Sequence, residues 1–118
     1  MQTRIRTEDA EKVKSLLRQY ERKDIEYNEP HFTLKLDRQK IDRNEVIKNV
    51  LKPDNLAFVG VSESKNPEYD CVYDLYFRLS NNRIFKIPAS LKPQSLYLIT
   101  VIKIRTRIQD EALKYYEE

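Results

Sequence analysis

The 118-residue chain is short of the residues from which many familiar sites are built: it has one glycine (Gly60), one cysteine (Cys71), one histidine (His31), one methionine and no tryptophan. A single glycine excludes a glycine-rich phosphate loop and a dinucleotide fingerprint, which need several backbone positions without a β-carbon. One cysteine excludes an internal disulfide, and one cysteine with one histidine falls short of a four-ligand Cys/His zinc site. No run approaches the roughly 18 apolar residues of a membrane span, and the opening MQTRIRTEDAEK lacks the apolar core of a secretory signal. The sequence is therefore expected to be cytoplasmic, with no membrane partner.

Charge is what the chain has in excess. Charged residues make up 35% of it, against roughly 25% in an ordinary soluble domain, while 40% hydrophobic residues suffice for a core. The length suits one domain over residues 1–118. The balance of 22 Lys and Arg against 19 Asp and Glu leaves a net charge of only +3, too small to imply a polyanionic partner unless the charges are segregated. They are segregated. From Asp74 to Asp110 no acidic residue intervenes, while Arg78, Arg83, Lys86, Lys92, Lys103, Arg105 and Arg107 all fall in that stretch.

Periodicity supplies the elements. Val13, Leu16, Leu17 and Tyr20 repeat at i, i+3, i+4 and i+7, which predicts an amphipathic helix capped by Thr7 and ending near Asp24. Residues 26–30 read as a connection closed by Pro30. Asp42 with Glu45 three residues on is a capping box before Val46, Ile47, Val50 and Leu51, and Lys52–Pro53 stops that second helix. From Leu56 the period becomes two. Strands are expected at 56–61, 71–79, 83–87 and 96–105, with a tight hairpin at Asn81–Asn82 and breaks at 62–69 and 88–93. A last helix is expected over 107–118. The economical arrangement is an α+β fold: a four-stranded antiparallel sheet with the N-terminal helices and the C-terminal helix packed on one face.

Several residues could carry chemistry. On the last strand Lys103, Arg105 and Arg107 share one face, opposite Ile102 and Ile104; Tyr76 and Arg78 share the outward face of theirs. If those faces coincide, the cluster suits a phosphate backbone; the alternative is a solvated basic face neutralised by acids from the helices. His31 is the one side chain expected to titrate near neutrality unaided; it reads first as a surface or helix-start residue after Pro30, and second as an acid or base. Cys71, in an alternating apolar segment with no second His or Cys to activate it, reads as a core thiol. Most of the eight tyrosines read as packing residues.

The stretch His31-Phe-Thr-Leu-Lys35, continuing to Ile41-Asp42-Arg43-Asn44-Glu45-Val46 and Val50-Leu51-Lys52-Pro53, resembles the opening motif of short domains of unknown function related to RelE-type and BrnT toxins. The Thr100–Val101 step in Leu96-Tyr97-Leu98-Ile99-Thr100-Val101 is similar to that family's closing strand. The likeness covers about residues 31–104. This sequence departs from the pattern in having Lys35 for an arginine, and Gln39 where a second arginine is expected, with Arg38 one place earlier. The resemblance implies a barnase–EndoU–colicin–RelE type fold, a helix starting at His31, and in many members ribonuclease activity without a metal or other cofactor. The alternation of Phe32, Leu34 and Leu36 instead suggests a strand there. Either way His31 and Lys35 share a face.

Two functions follow as expectations. One is a toxin-like endoribonuclease that cleaves RNA by attack of the 2′-hydroxyl on the adjacent phosphate. His31, Tyr76 and Arg105 would then be catalytic, and Lys35, Arg38, Arg78, Lys103 and Arg107 would hold the phosphates. The other keeps the basic face without turnover, binding RNA or a small acidic antitoxin-like protein.

Overall fold

The computed structural model describes residues 5–63 and 71–105. The expected C-terminal helix, Arg107 and most of the 62–69 break lie outside the described residues. Among these residues the chain is α+β, with three α-helices and a mixed seven-stranded sheet: β1 (Ile5–Glu8), α1 (Ala10–Leu17), β2 (Ile25–Tyr27), α2 (His31–Gln39), α3 (Arg43–Leu51), β3 (Leu56–Glu63), β4 (Cys71–Ser80), β5 (Arg83–Lys92), β6 (Ser95–Leu98) and β7 (Ile102–Ile104). The expected sheet of four antiparallel strands is corrected to this larger one. Three of its strands come from segments read otherwise, or divide a segment read as one.

The order is β1-β3-β4-β5-β6-β2, with β7 on β5 as well. All pairs are antiparallel except β2 with β6. Thr7 does not cap α1, because it belongs to β1 and pairs with Gly60. Asp9 caps instead, its carboxylate accepting from the Glu11 amide at 3.0 Å. Asp42 caps α3 as expected, accepting from the Asn44 amide at 2.9 Å. At His31 the helix prevails over the alternation: Phe32 and Leu36 are buried while Leu34 is 49% exposed. Lys40 ends α2 in the left-handed region (φ 55°), and the Ile41 amide returns to the Leu36 carbonyl at 2.9 Å.

One sheet face carries the core. Val13 and Leu17 of α1, Phe32 and Leu36 of α2, and Val46, Ile47 and Val50 of α3 pack on Val59, Val61, Leu75, Phe77, Phe85, Ile87, Leu96 and Leu98. Each fully buried side chain of this size contributes about 1.5–3 kcal/mol. The opposite face has its own smaller cluster, Tyr76 and Ile84 with Phe58 and Ile104. Cross-strand partners point to one side of a sheet, and the pairs Phe58↔Tyr76, Tyr76↔Lys86, Arg78↔Ile84 and Ile84↔Ile104 put all six on that far face.

The segment expected as one strand over 96–105 is interrupted. Leu98 pairs with Ala89 and Ile102 with Lys86, so residues 99–101 face only residues 87 and 88 of β5. This one-residue bulge sits beside Pro88, whose carbonyl accepts from the Ile99 amide at 2.9 Å. A strand residue's nitrogen lies on the same side as its carbonyl, so the ring that donates nothing faces the place where the ladder is already broken. That explains why β5 runs on to Lys92 through a proline expected to end it. Beyond it, Pro93 and Gln94 (φ 60°) turn the chain back into β6.

Candidate functional site

The bulge determines what lies beside α2. Past Leu98, the line of edge strand β2 is taken over by the chain entering α2. The Asn28 amide donates to the Leu98 carbonyl at 3.0 Å, and its side-chain amide to the Ile99 carbonyl at 3.3 Å. Residues 99–103 then pass along the flank of the helix. His31, Lys35 and Gln39 recur every four residues and so line that flank. His31 Nε2 is 3.2 Å from Thr100 Oγ1, where either group can donate. Gln39 Nε2 donates to the Val101 carbonyl at 2.8 Å, and Gln39 Oε1 accepts from the Lys103 amide at 2.7 Å.

Three basic side chains, His31, Lys35 and Arg38, thus sit on α2, which also carries Asp37, and two more, Lys103 and Arg105, follow on and just past β7. His31 and Arg38 are exposed and Lys35 is half-buried. On a helix they lie within about 40° of one line, at 1.5 Å of rise per residue. Lys103 pairs with Phe85, which turns it to the helix side of the sheet, half-buried, and Arg105 is exposed directly after β7. Among the described residues none of Lys35, Arg38, Lys103 and Arg105 makes an ion pair. The nearest acid in sequence to His31, Glu29, is already engaged. Its carboxylate accepts from the Thr33 amide at 2.8 Å and from the Thr33 hydroxyl, and meets Arg43 Nη2 at 3.3 Å. These contacts, the Thr33 hydroxyl foremost, hold the Glu29 carboxyl below its ordinary pKa.

The other expected site residues do not join them. Tyr76 is fully buried on the far sheet face, between Phe58 (ring centroids 5.5 Å apart) and Lys86, whose Nζ is 5.6 Å from the ring centre. Arg78 is exposed on that same far face, beside Ile84. Arg107 lies outside the described residues. The expected gathering of Tyr76 and Arg78 with His31 is therefore corrected: the sheet stands between them. Lys103 remains on the side of His31, and Arg105 is exposed just past the end of β7.

Thr100 and Gln39 were not expected as parts of the site. A signal for both was present. Thr100 is the polar residue at the point where Leu96, Leu98, Ile102 and Ile104 otherwise alternate cleanly, and it marks the bulge. Gln39 completes the four-residue spacing that runs from His31 through Lys35 along α2.

Elsewhere, a depression of about 370 Å³ is lined by Leu16, Tyr20, Asp24, Tyr73 and Leu91 among others. Another, of about 360 Å³, lies between α3 and Leu79. No group of three or more His, Cys, Asp or Glu side chains among the described residues could hold a metal ion, and no helix there is long and apolar enough to cross a membrane. No family model, curated protein or solved structure matches the chain.

Proposed function

We propose that the chain binds the phosphate backbone of RNA along α2 and residues 99–105, without cleaving it. One observation carries the reading: α2, with Lys35 and Arg38, is tied through Gln39 to the segment that bears Lys103 and runs on to Arg105, and none of the four has a carboxylate partner among the described residues. A chain this rich in acids would ordinarily neutralise such a group. Unpaired cations beside a hydroxyl (Thr100) and an imidazole (His31) suit successive phosphates, since each neutralised phosphate releases condensed counterions. Exposed backbone contacts of this kind hold a strand without reading its sequence.

Turnover is the less supported of the two expected activities. Cleavage by 2′-hydroxyl attack needs a base and an acid on opposite sides of the phosphate. His31 could serve as one. Tyr76, the candidate for the other, is buried across the sheet, and no second imidazole exists in the sequence.

The direct test is fluorescence anisotropy of a short labelled oligouridylate with wild type, Lys35→Ala, Lys103→Ala and the pair. Graded loss supports the reading, and binding equal in all four removes it. Intact probe after prolonged incubation agrees with binding alone. Cleavage abolished by His31→Ala would restore the ribonuclease alternative.

A further inference from the structure

We infer that Gln39 is the positioning residue of this flank: its side-chain amide pairs with β7 as a neighbouring strand would, and so holds Lys103 and Thr100 against Lys35 and His31. The inference deepens the phosphate-binding reading and rests on it for its functional half.

A primary amide offers the same donor and acceptor as a peptide group. In a parallel ladder one residue donates to the carbonyl of residue j−1 and accepts from the amide of residue j+1. Gln39 does this around Ile102, donating to Val101 O at 2.8 Å and accepting from Lys103 N at 2.7 Å. It therefore continues, with one side chain, the parallel pairing that β2 makes with β6 on the same edge. Its remaining amide proton is directed to the Lys35 carbonyl at 3.1 Å, which ties the latch to its own helix.

The latch has work to do because β7 is three residues long and, among the described residues, is paired on one edge only, to β5. It follows a bulge, where the ladder is already interrupted. Without Gln39 the Lys103 amide and the carbonyl of fully buried Val101 would lose this partner, and an edge strand this short frays. Asparagine is one methylene too short, methionine fills the space with no donor, and glutamate has no donor for Val101 O.

The test is a double-mutant cycle between Gln39→Met and Lys103→Ala, read by oligouridylate binding at low salt. If Gln39 acts through Lys103, each single variant weakens binding about fivefold and the double variant no more than either. Losses that multiply, or wild-type binding by Gln39→Met, overturn the inference. Should wild type bind no oligouridylate, the phosphate reading fails, and the positioning claim is decided by amide exchange. Gln39→Met, or Gln39→Asn if the first does not fold, should speed exchange at Lys103 by about tenfold or more and shift the His31 ring resonances, leaving Leu75 and Phe77 protected. An unchanged Lys103 amide overturns it.

Discussion

The guanidinium carbon of Arg43 lies 4.5 Å from the centre of the Tyr27 ring, joining the first residue of α3 to the end of β2. The same side chain donates to Thr33 Oγ1 at 2.7 Å, meets Glu29 Oε2 at 3.3 Å, and stands 5.6 Å from the Phe32 ring centre. It thereby holds the first turn of α2, from which His31 projects. A planar, delocalised cation is needed for stacking and forked donation together, so lysine does not replace it. Arg43→Lys should lower stability by about 1 kcal/mol in urea unfolding and shift the His31 ring resonances. A shift in stability with an unmoved His31 would separate the clamp from the site.

Glu29 gives this corner a pH dependence. Its carboxyl is held below the ordinary value chiefly by the Thr33 hydroxyl; desolvation, the next largest effect, opposes this, and the Thr33 amide and Arg43 add to the lowering. A lowered folded pKa stabilises the fold above the unfolded value of about 4.3, and the gain disappears as pH falls through the lowered one. Glu29→Gln should therefore flatten the acid limb of a melting-temperature profile and leave its slope above neutrality unchanged. An acid limb identical to wild type would show that the carboxylate does not contribute.

Tyr76 separates the two functional readings. Fully buried on the far face, it should tolerate Tyr76→Phe with unchanged oligouridylate affinity and a stability loss of about 1 kcal/mol from the missing hydroxyl. Unchanged stability with lost activity on RNA would instead assign the hydroxyl a chemical role.

Most of the secondary structure was legible in the sequence, because apolar spacing and caps are local. Asp42 as a cap, the Lys52–Pro53 stop, the Asn81–Asn82 turn and the alternation in β4 all appear where those signals lie. What was not legible depended on partners distant in the chain. Thr7 looks like a cap until Gly60 pairs with it. Residues 25–27 are too few to show a period, and become a strand through β6. The bulge at 99–101 is masked because Val101 and Ile102 are both apolar, so a slip of one residue leaves the pattern plausible. The site was half legible for the same reason. His31 and Lys35 share a helix flank by local spacing, and the period of two sets Lys103 opposite Ile102 and Ile104. Which side of the sheet Tyr76 and Arg78 occupy relative to His31 is fixed only when α2 packs.

Tyr20 makes a prediction at the other end of the pH range. Its hydroxyl donates to the Lys92 carbonyl at 2.6 Å, and burial, the Asp24 charge and Tyr73 raise its pKa despite that bond. A raised folded pKa leaves stability intact below the unfolded value of about 10 and loses it as pH rises through the folded one. Tyr20→Phe should lose about 1 kcal/mol at neutral pH while declining less than wild type in alkali. Ultraviolet titration should show one phenol ionising late in wild type and absent from the variant. The same titration curve per tyrosine in both proteins would contradict this.

The salt dependence of RNA binding tests the central claim most directly. Four cations without a carboxylate partner among the described residues, each releasing counterions from a single strand, predict a slope of about −3 in log affinity against log salt. Lys35→Ala and Lys103→Ala should each reduce its steepness by about 0.7, while Arg78→Ala, on the opposite face, leaves it unchanged. A slope near zero, or an Arg78→Ala loss as large as that of Lys35→Ala, would contradict the account.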